Sequence, residues 1–205
     1  MNPFSKSLLA CALALPALAS ATSNLVINGS FEDYRQAPGS WAIHGTGHGW
    51  TTDVNGIEIR NDYEGEGSVG SSFAELDTTA NSSIWQQIYV REGQDYLLSF
   101  DYSNRGKTRV GTNGLGWSFA GISGFAPIES RNRSNGNIWH TFDTTVRAGF
   151  TGWATLLFTA EGVSDSYGSS LDHVSVSSLV PEPGTSALLL AGLGVLVVVG
   201  RRRQL

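Results

Sequence analysis

One cysteine, Cys11, stands in a chain of 205 residues, so no disulfide can form within it. Charge is sparse: 15% of the residues are Asp, Glu, Lys or Arg, and the 13 bases fall short of the 18 acids. Glu182 is the only acid outside residues 22–179, whereas Lys6, Arg201, Arg202 and Arg203 are the bases outside them. The middle of the chain therefore carries a formal charge of about −8, against −5 for the whole. So acidic a surface excludes nucleic acid as a partner, because phosphates need a basic patch. There is no Gly-x-Ser-x-Gly elbow and no His-Glu-x-x-His, which removes two common hydrolytic chemistries. The middle also lacks any amphipathic helical period, and long apolar runs occur only at the two ends.

Met1 to Ala21 holds a single base, Lys6, an apolar stretch from Leu8 to Leu18, and small residues at Ala17, Ala19, Ser20 and Ala21. This is the make-up of a secretory signal peptide cut after Ala19 or Ala21, and it implies the Sec export machinery as a partner. Leu8-Leu9-Ala10-Cys11 imitates a lipoprotein box that would acylate Cys11. That cut would leave only about five residues after Lys6, where an apolar region needs 7–15. Ordinary cleavage sends a cysteine-free domain into an oxidising compartment, so its stability must come from its core or a metal.

At the other end Val180-Pro181-Glu182-Pro183-Gly184 is followed by an uncharged apolar run, Ser186 to Gly200, and then Arg201-Arg202-Arg203. As a helix the run spans roughly 23 Å, short of a hydrocarbon core of ~30 Å. Bilayer thinning or snorkelling of the arginines absorbs the deficit. The arginines mark the cytoplasmic side and place everything before Pro181 outside. A buried core helix is the alternative, although such a helix would carry polar residues on one face. Order and composition together resemble the PEP-CTERM sorting signal of Gram-negative, exopolysaccharide-producing bacteria. That resemblance implies a transient membrane anchor in 180–205, with Pro181, Glu182 and Pro183 as the motif processed by an exosortase-type membrane protease. Arg201, Arg202 and Arg203 become the membrane stop, and the released protein joins the cell surface or the extracellular matrix.

Residues 22–179 are one domain's worth of chain. Short alternating segments broken by Gly, Asn, Asp and Ser predict an all-β sandwich of two antiparallel sheets. Asn24–Ile27 reads as a first strand ending at the Asn28-Gly29 turn, and Ile57 and Ile59 share a face. Ile84, Gln86, Ile88 and Val90 lie on one face of the next strand, with Trp85, Gln87 and Tyr89 on the other. Tyr96, Leu98, Phe100 and Tyr102 define a face after the Glu92-Gly93 turn, and strands follow at 142–146, 154–159 and 171–177. Residues 105–137 read as long loops with one or two strands inside. Asn24 to Glu32, Gly93 to Phe100 and Leu171 to Val176 resemble the opening, middle and closing strands of galactose-binding-like jelly rolls. These include carbohydrate-binding modules and the DUF642 or choice-of-anchor domains. The resemblance implies a jelly roll; it does not by itself imply sugar binding.

Related modules bridge the Glu of the first motif and the Asp of the last strand with calcium, which here points to Glu32 and Asp172 as metal ligands. Asp77 or backbone carbonyls would complete the 6–8 oxygens that Ca²⁺ takes. The alternative is that both carboxylates accept backbone hydrogen bonds in turns. Asp172 is expected on the face of Val174 and Val176, where it would need a partner at the core's edge. His44 and His48 have a helical ligand spacing, but Gly45, Gly47 and Gly49 argue against a helix, so both read as loop histidines. Flat rings that stack on sugar C–H faces are the ligand candidates: Trp85, Tyr89 and Trp117, the last in the Gly114–Trp117 loop. Acid pairs Glu64/Glu66 and Glu75/Asp77 have the composition of a glycosidase pair but sit in turn-rich segments, so no enzyme is expected. Polysaccharide binding outside the cell is the expected function; a matrix protein without a specific ligand is the alternative.

Overall fold

The computed structural model describes residues 23–107, 110–126 and 133–179. The signal peptide, the Pro-Glu-Pro motif, the apolar run and the terminal arginines lie outside the described residues. Among the described residues no helix is long and apolar enough to cross a membrane.

Eleven strands follow in chain order: β1 Ser40–His44, β2 Thr51–Thr52, β3 Ile57–Asn61, β4 Ser72–Glu75, β5 Ser83–Val90, β6 Asp95–Ser103, β7 Leu115–Phe119, β8 Ile122–Phe125, β9 His140–Arg147, β10 Gly152–Ala160 and β11 Ser170–Leu179. They form two antiparallel sheets, a first in the order β1-β3-β4-β11-β6-β9 and a second in the order β2-β5-β10-β7-β8. This is the expected all-β jelly-roll sandwich. The 105–137 region contributes two strands, β7 and β8, within its loops.

Alternation built these sheets. Ile84, Ile88 and Val90 from β5 pack with Leu156 and Phe158 from β10 against Leu98 and Phe100 of β6 and Val174 and Val176 of β11. Phe100 and Phe158 meet edge to face across the sandwich at 5.0 Å between ring centroids. Each such side chain, fully removed from water, stabilises the fold by about 1.5–3 kcal/mol.

Asn24–Ile27 is not a strand. Leu25 N–H donates to Val176 O at 2.8 Å, but the neighbouring ladder positions are taken by the Asn24 side chain, which bonds Val174 O and Val176 N. Ile27 then turns to the other sheet, where the buried Gln86 amide bonds both its N–H and its C=O. The segment is a strap across the sandwich edge. Gly29 follows because a Cβ there would lie 2.0 Å from Val174 O.

A second correction concerns Asp172. The β11–β6 register shifts between Asp172 and Ser175, with His173 at φ 49° as the extra residue. A bulge breaks the two-residue period. Leu171 and Val174 both face the core, while Asp172 pairs with Asp101 on the outer face of the first sheet.

Candidate functional site

The outer face of the second sheet carries Tyr89, Phe125 and Trp153, three of the exposed rings. On β5 the residues pointing out are Ser83, Trp85, Gln87 and Tyr89; on β10 they are Trp153, Thr155, Leu157 and Thr159. Register places Trp153 beside Tyr89, Thr155 beside Gln87 and Leu157 beside Trp85. Tyr89 and Trp153 are 49% and 67% exposed and meet edge to face at 5.6 Å. Gln87 Nε2 donates to Thr155 Oγ1 at 2.9 Å, which fixes a polar pair between the two apolar rows. Thr51 of β2 lies on the other side of Trp85, and Ser118 and Ser123 of β7 and β8 extend its row. Phe125, 68% exposed, ends the neighbouring row.

Trp85 and Tyr89 thus share one exposed face, joined by Trp153, which the sequence reading missed. Trp117 does not. It belongs to strand β7 rather than a loop, and the period that turns Ser118 outward turns Leu115, Trp117 and Phe119 inward. Its ring packs on Phe142 at 5.4 Å between centroids.

Glu32 and Asp172 hold one loop, Ser68–Ser72, from two sides. Glu32 Oε1 accepts N–H bonds from Ser71 and Ser72 at 2.8 and 2.7 Å. Asp172 Oδ2 accepts from Ser68 and Val69 at 2.7 and 3.0 Å, and Oδ1 from its neighbour His173 at 2.6 Å. Burial pushes the Asp172 carboxyl up to about 6; the three backbone N–H bonds oppose this, and nearby Asp101 adds to it. Two carboxylates with most of their lone pairs engaged match calcium in ligand type but fall short of 6–8 oxygens, so carbonyls would have to supply the rest. Among the described residues no group of three or more His, Cys, Asp or Glu side chains is placed to hold a metal. His44 bonds Gln36 at 3.1 Å and, with His48, packs its ring at a tilt against Tyr34.

Glu58, Glu64 and Glu75 share ion pairs on the first sheet. Arg60, buried on the outer side of the first sheet, pairs with Glu58 at 2.7 Å, Glu75 at 2.5 Å and Glu64 at 3.2 Å. Arg105 reaches Glu64 and Glu75 and lies 4.4 Å over the Tyr167 ring, beside a polar cleft of about 470 Å³. Burial pushes Glu75 up to about 7 against the pull of both guanidiniums. Asp77 instead accepts backbone N–H bonds from Asp165 and Tyr167. Glu75 and Asp77 are therefore committed to separate contacts and do not face each other as an acid and base.

The PEP-CTERM protein-sorting motif matches residues 179–204. The chain carries a PEP-CTERM sorting signal. That signal implies an exported chain, held transiently by its tail and processed by exosortase. No curated protein matches the sequence. Among solved structures, the chain is similar to the enzymatically active domain of bacteriophage CBA120 tailspike protein 4. The identity is 16% and the TM-score 0.48, over 76% of this chain and 21% of that one. Arabinose-bound MgGH51 α-L-arabinofuranosidase is similar at 9% identity and TM-score 0.50, over 77% of this chain and 26% of that one. The CBM22-1 xylan-binding domain of Paenibacillus barcinonensis Xyn10C is similar at 14% identity and TM-score 0.47, over 80% and 99%. The PEP-CTERM chain spans only a fifth to a quarter of the two enzyme chains, and at these identities the likeness is one of fold.

Proposed function

We propose that the PEP-CTERM chain is a non-catalytic glycan-binding protein, exported through Sec, released by exosortase and retained at the cell surface or in the extracellular matrix. The observation that carries this reading is the outward-facing set of the half-buried Trp85 and the exposed Tyr89 and Trp153 on one sheet, with Gln87 and Thr155 between the rings. Rings offer apolar planes to sugar C–H faces, and the amide and hydroxyl offer both donors and acceptors to sugar hydroxyls. Because strands hold them, these side chains lose little freedom on binding. The xylan-binding domain and the arabinose-bound enzyme are sugar-binding chains of similar fold, which agrees with the proposal but does not carry it.

Calorimetric titration of the purified chain with oligosaccharides tests it. Trp85→Ala and Trp153→Ala are each expected to weaken binding about tenfold, the loss of roughly 1.4 kcal/mol of stacking. A chain that binds no glycan on a broad array is instead a matrix protein without a specific ligand.

A further inference from the structure

Charge is divided unequally between the two sheets. Glu58, Arg60, Glu75, Asp95, Asp101, Asp143, Arg147 and Asp172 all belong to strands of the first sheet, whereas the strands of the second contain no Asp, Glu, Lys or Arg. In a chain of net charge −5 whose loops are rich in acids, an open five-strand face built from Thr, Ser, Gln, Trp, Tyr, Leu and Phe is a selective surface. Among the described residues, formal charges stand at its margins, where Asp53 Oδ2 accepts from Ser83 N–H at 2.8 Å. Glu161 is close enough to Gly116 for its Oε1 to fall 3.0 Å from a Cβ built there, and Arg91 and Glu92 follow Tyr89 in the next turn.

The face also has a length. Trp85 and Tyr89 are four residues apart on one strand, so their rings stand about 13 Å apart. Gln87 and Thr155 occupy the interval, and among the described residues no further strand pairs outside β2 or β8. A single sugar ring cannot reach both stacking positions, whereas a chain of several units running along β5 can.

Resting on the reading of this face as a glycan site, we propose that it selects internal segments of uncharged polysaccharides and rejects uronate- or sulfate-bearing ones. An anionic polymer would bring charges onto strands that carry no cation, with Arg91 alone at the margin named above among the described residues, beside the Glu161 carboxylate and under the overall negative field of the domain. Carboxylates and sulfates give up hydration most readily to cationic partners, and the strands of this face carry none. A neutral chain gives up only hydroxyl hydration, which Gln87, Thr155, Thr51 and Ser118 can replace.

The test uses the full chain in detergent micelles. Titrants are hexasaccharides of xylan, mannan and β-glucan as the neutral set and of polygalacturonate and alginate as the acidic set, at 50 and 500 mM NaCl. The expected result is binding of at least one neutral hexasaccharide, with affinity changing less than twofold between the salts. Its disaccharide should bind at least tenfold more weakly, every acidic hexasaccharide likewise, and Trp85→Ala should weaken the neutral complex. Acidic hexasaccharides that bind as tightly as neutral ones, with affinity falling as salt rises, overturn the proposed selectivity and leave the glycan site standing. Neutral binding that persists unchanged in Trp85→Ala and Trp153→Ala, or no binding in either set, overturns the site itself.

Discussion

The indole N–H of Trp117 is buried without a hydrogen-bond partner, while the ring lies against Phe142 and over Gly124, where an added Cβ would come 3.0 Å from the indole. An unsatisfied buried donor costs about 1–3 kcal/mol, and the ring's burial outweighs it. Trp117→Phe removes both the orphan donor and part of the ring. The two changes offset, and urea unfolding is expected to show a stability within about 1 kcal/mol of the parent. Trp117→Ala is expected to lose about 3–5 kcal/mol. Glycan affinity of Trp117→Phe should stay within twofold, which separates this core ring from Trp85 and Trp153. The difference between the rings was only half legible in the chain. Around Trp85 and Tyr89 the alternation Ile84, Gln86, Ile88, Val90 is uninterrupted, and it assigns the faces correctly. Trp117 follows two glycines, which imitate a loop although here they sit in and beside a strand. Trp153 sits one residue before the segment that alternation alone marks, behind Gly149 and Gly152. Extending the pattern back from Thr155, Leu157 and Thr159 would have found it.

At the scale of elements, one loop decides how the outer face of the first sheet is closed. Ser68–Ser72 is held by Glu32 from the segment before β1 and by Asp172 from β11, and Ser68 Oγ also bonds Asp101 of β6. Gly70, at φ +74°, lets the loop pass: a Cβ there would fall 2.3 Å from Glu32 Oε1. Sequence periodicity could not show this closure, since it needs a bulge that turns Asp172 outward and partners more than a hundred residues away. The closure carries a pH signature. Asp172 titrates at about 6 in the folded chain against 3.8 as its ordinary value, so the unfolded chain ionises first. The Asp172 contribution to stability is therefore full below about pH 4 and lost as pH rises through about 6, by on the order of 2–3 kcal/mol. Denaturation midpoints recorded in chelator from pH 3.5 to 8 should show this fall, and Asp172→Asn should make it shallower, leaving the part that Glu75, pushed up to about 7, contributes. Calcium at the Glu32–Asp172 pair has its readout in the same series. A bound ion would raise the midpoint above pH 6 and erase the Asp172 part of the fall, whereas curves that superimpose with and without Ca²⁺ leave the backbone amides as the partners of both carboxylates.

On the scale of the whole molecule, the sorting signal and the sandwich are separable in sequence and in energetics. Among the described residues the apolar core runs from Val26 to Val176, so it is complete before the PEP-CTERM motif begins at 179. Removing residues 180–205 deletes none of these core side chains, and the melting temperature is expected to change by less than about 3 °C, under 1 kcal/mol for a domain of this size. Location should change instead. As a helix, a 15-residue apolar run would span roughly 23 Å and make a weak anchor, which would suit a tail that must be released rather than one that must remain. With Pro181, Glu182 and Pro183 all changed to alanine, the apolar run and the three arginines persist while the processing motif is gone. The unclipped chain should then accumulate in the membrane fraction at its full C-terminal length, whereas deletion of 180–205 should send a folded domain to the soluble exported fraction. Mass spectrometry of the C-terminus in each fraction reads both outcomes. If the alanine variant is still shortened and released, the Pro-Glu-Pro turn is not what the protease recognises, and the weakness of the anchor alone must account for release.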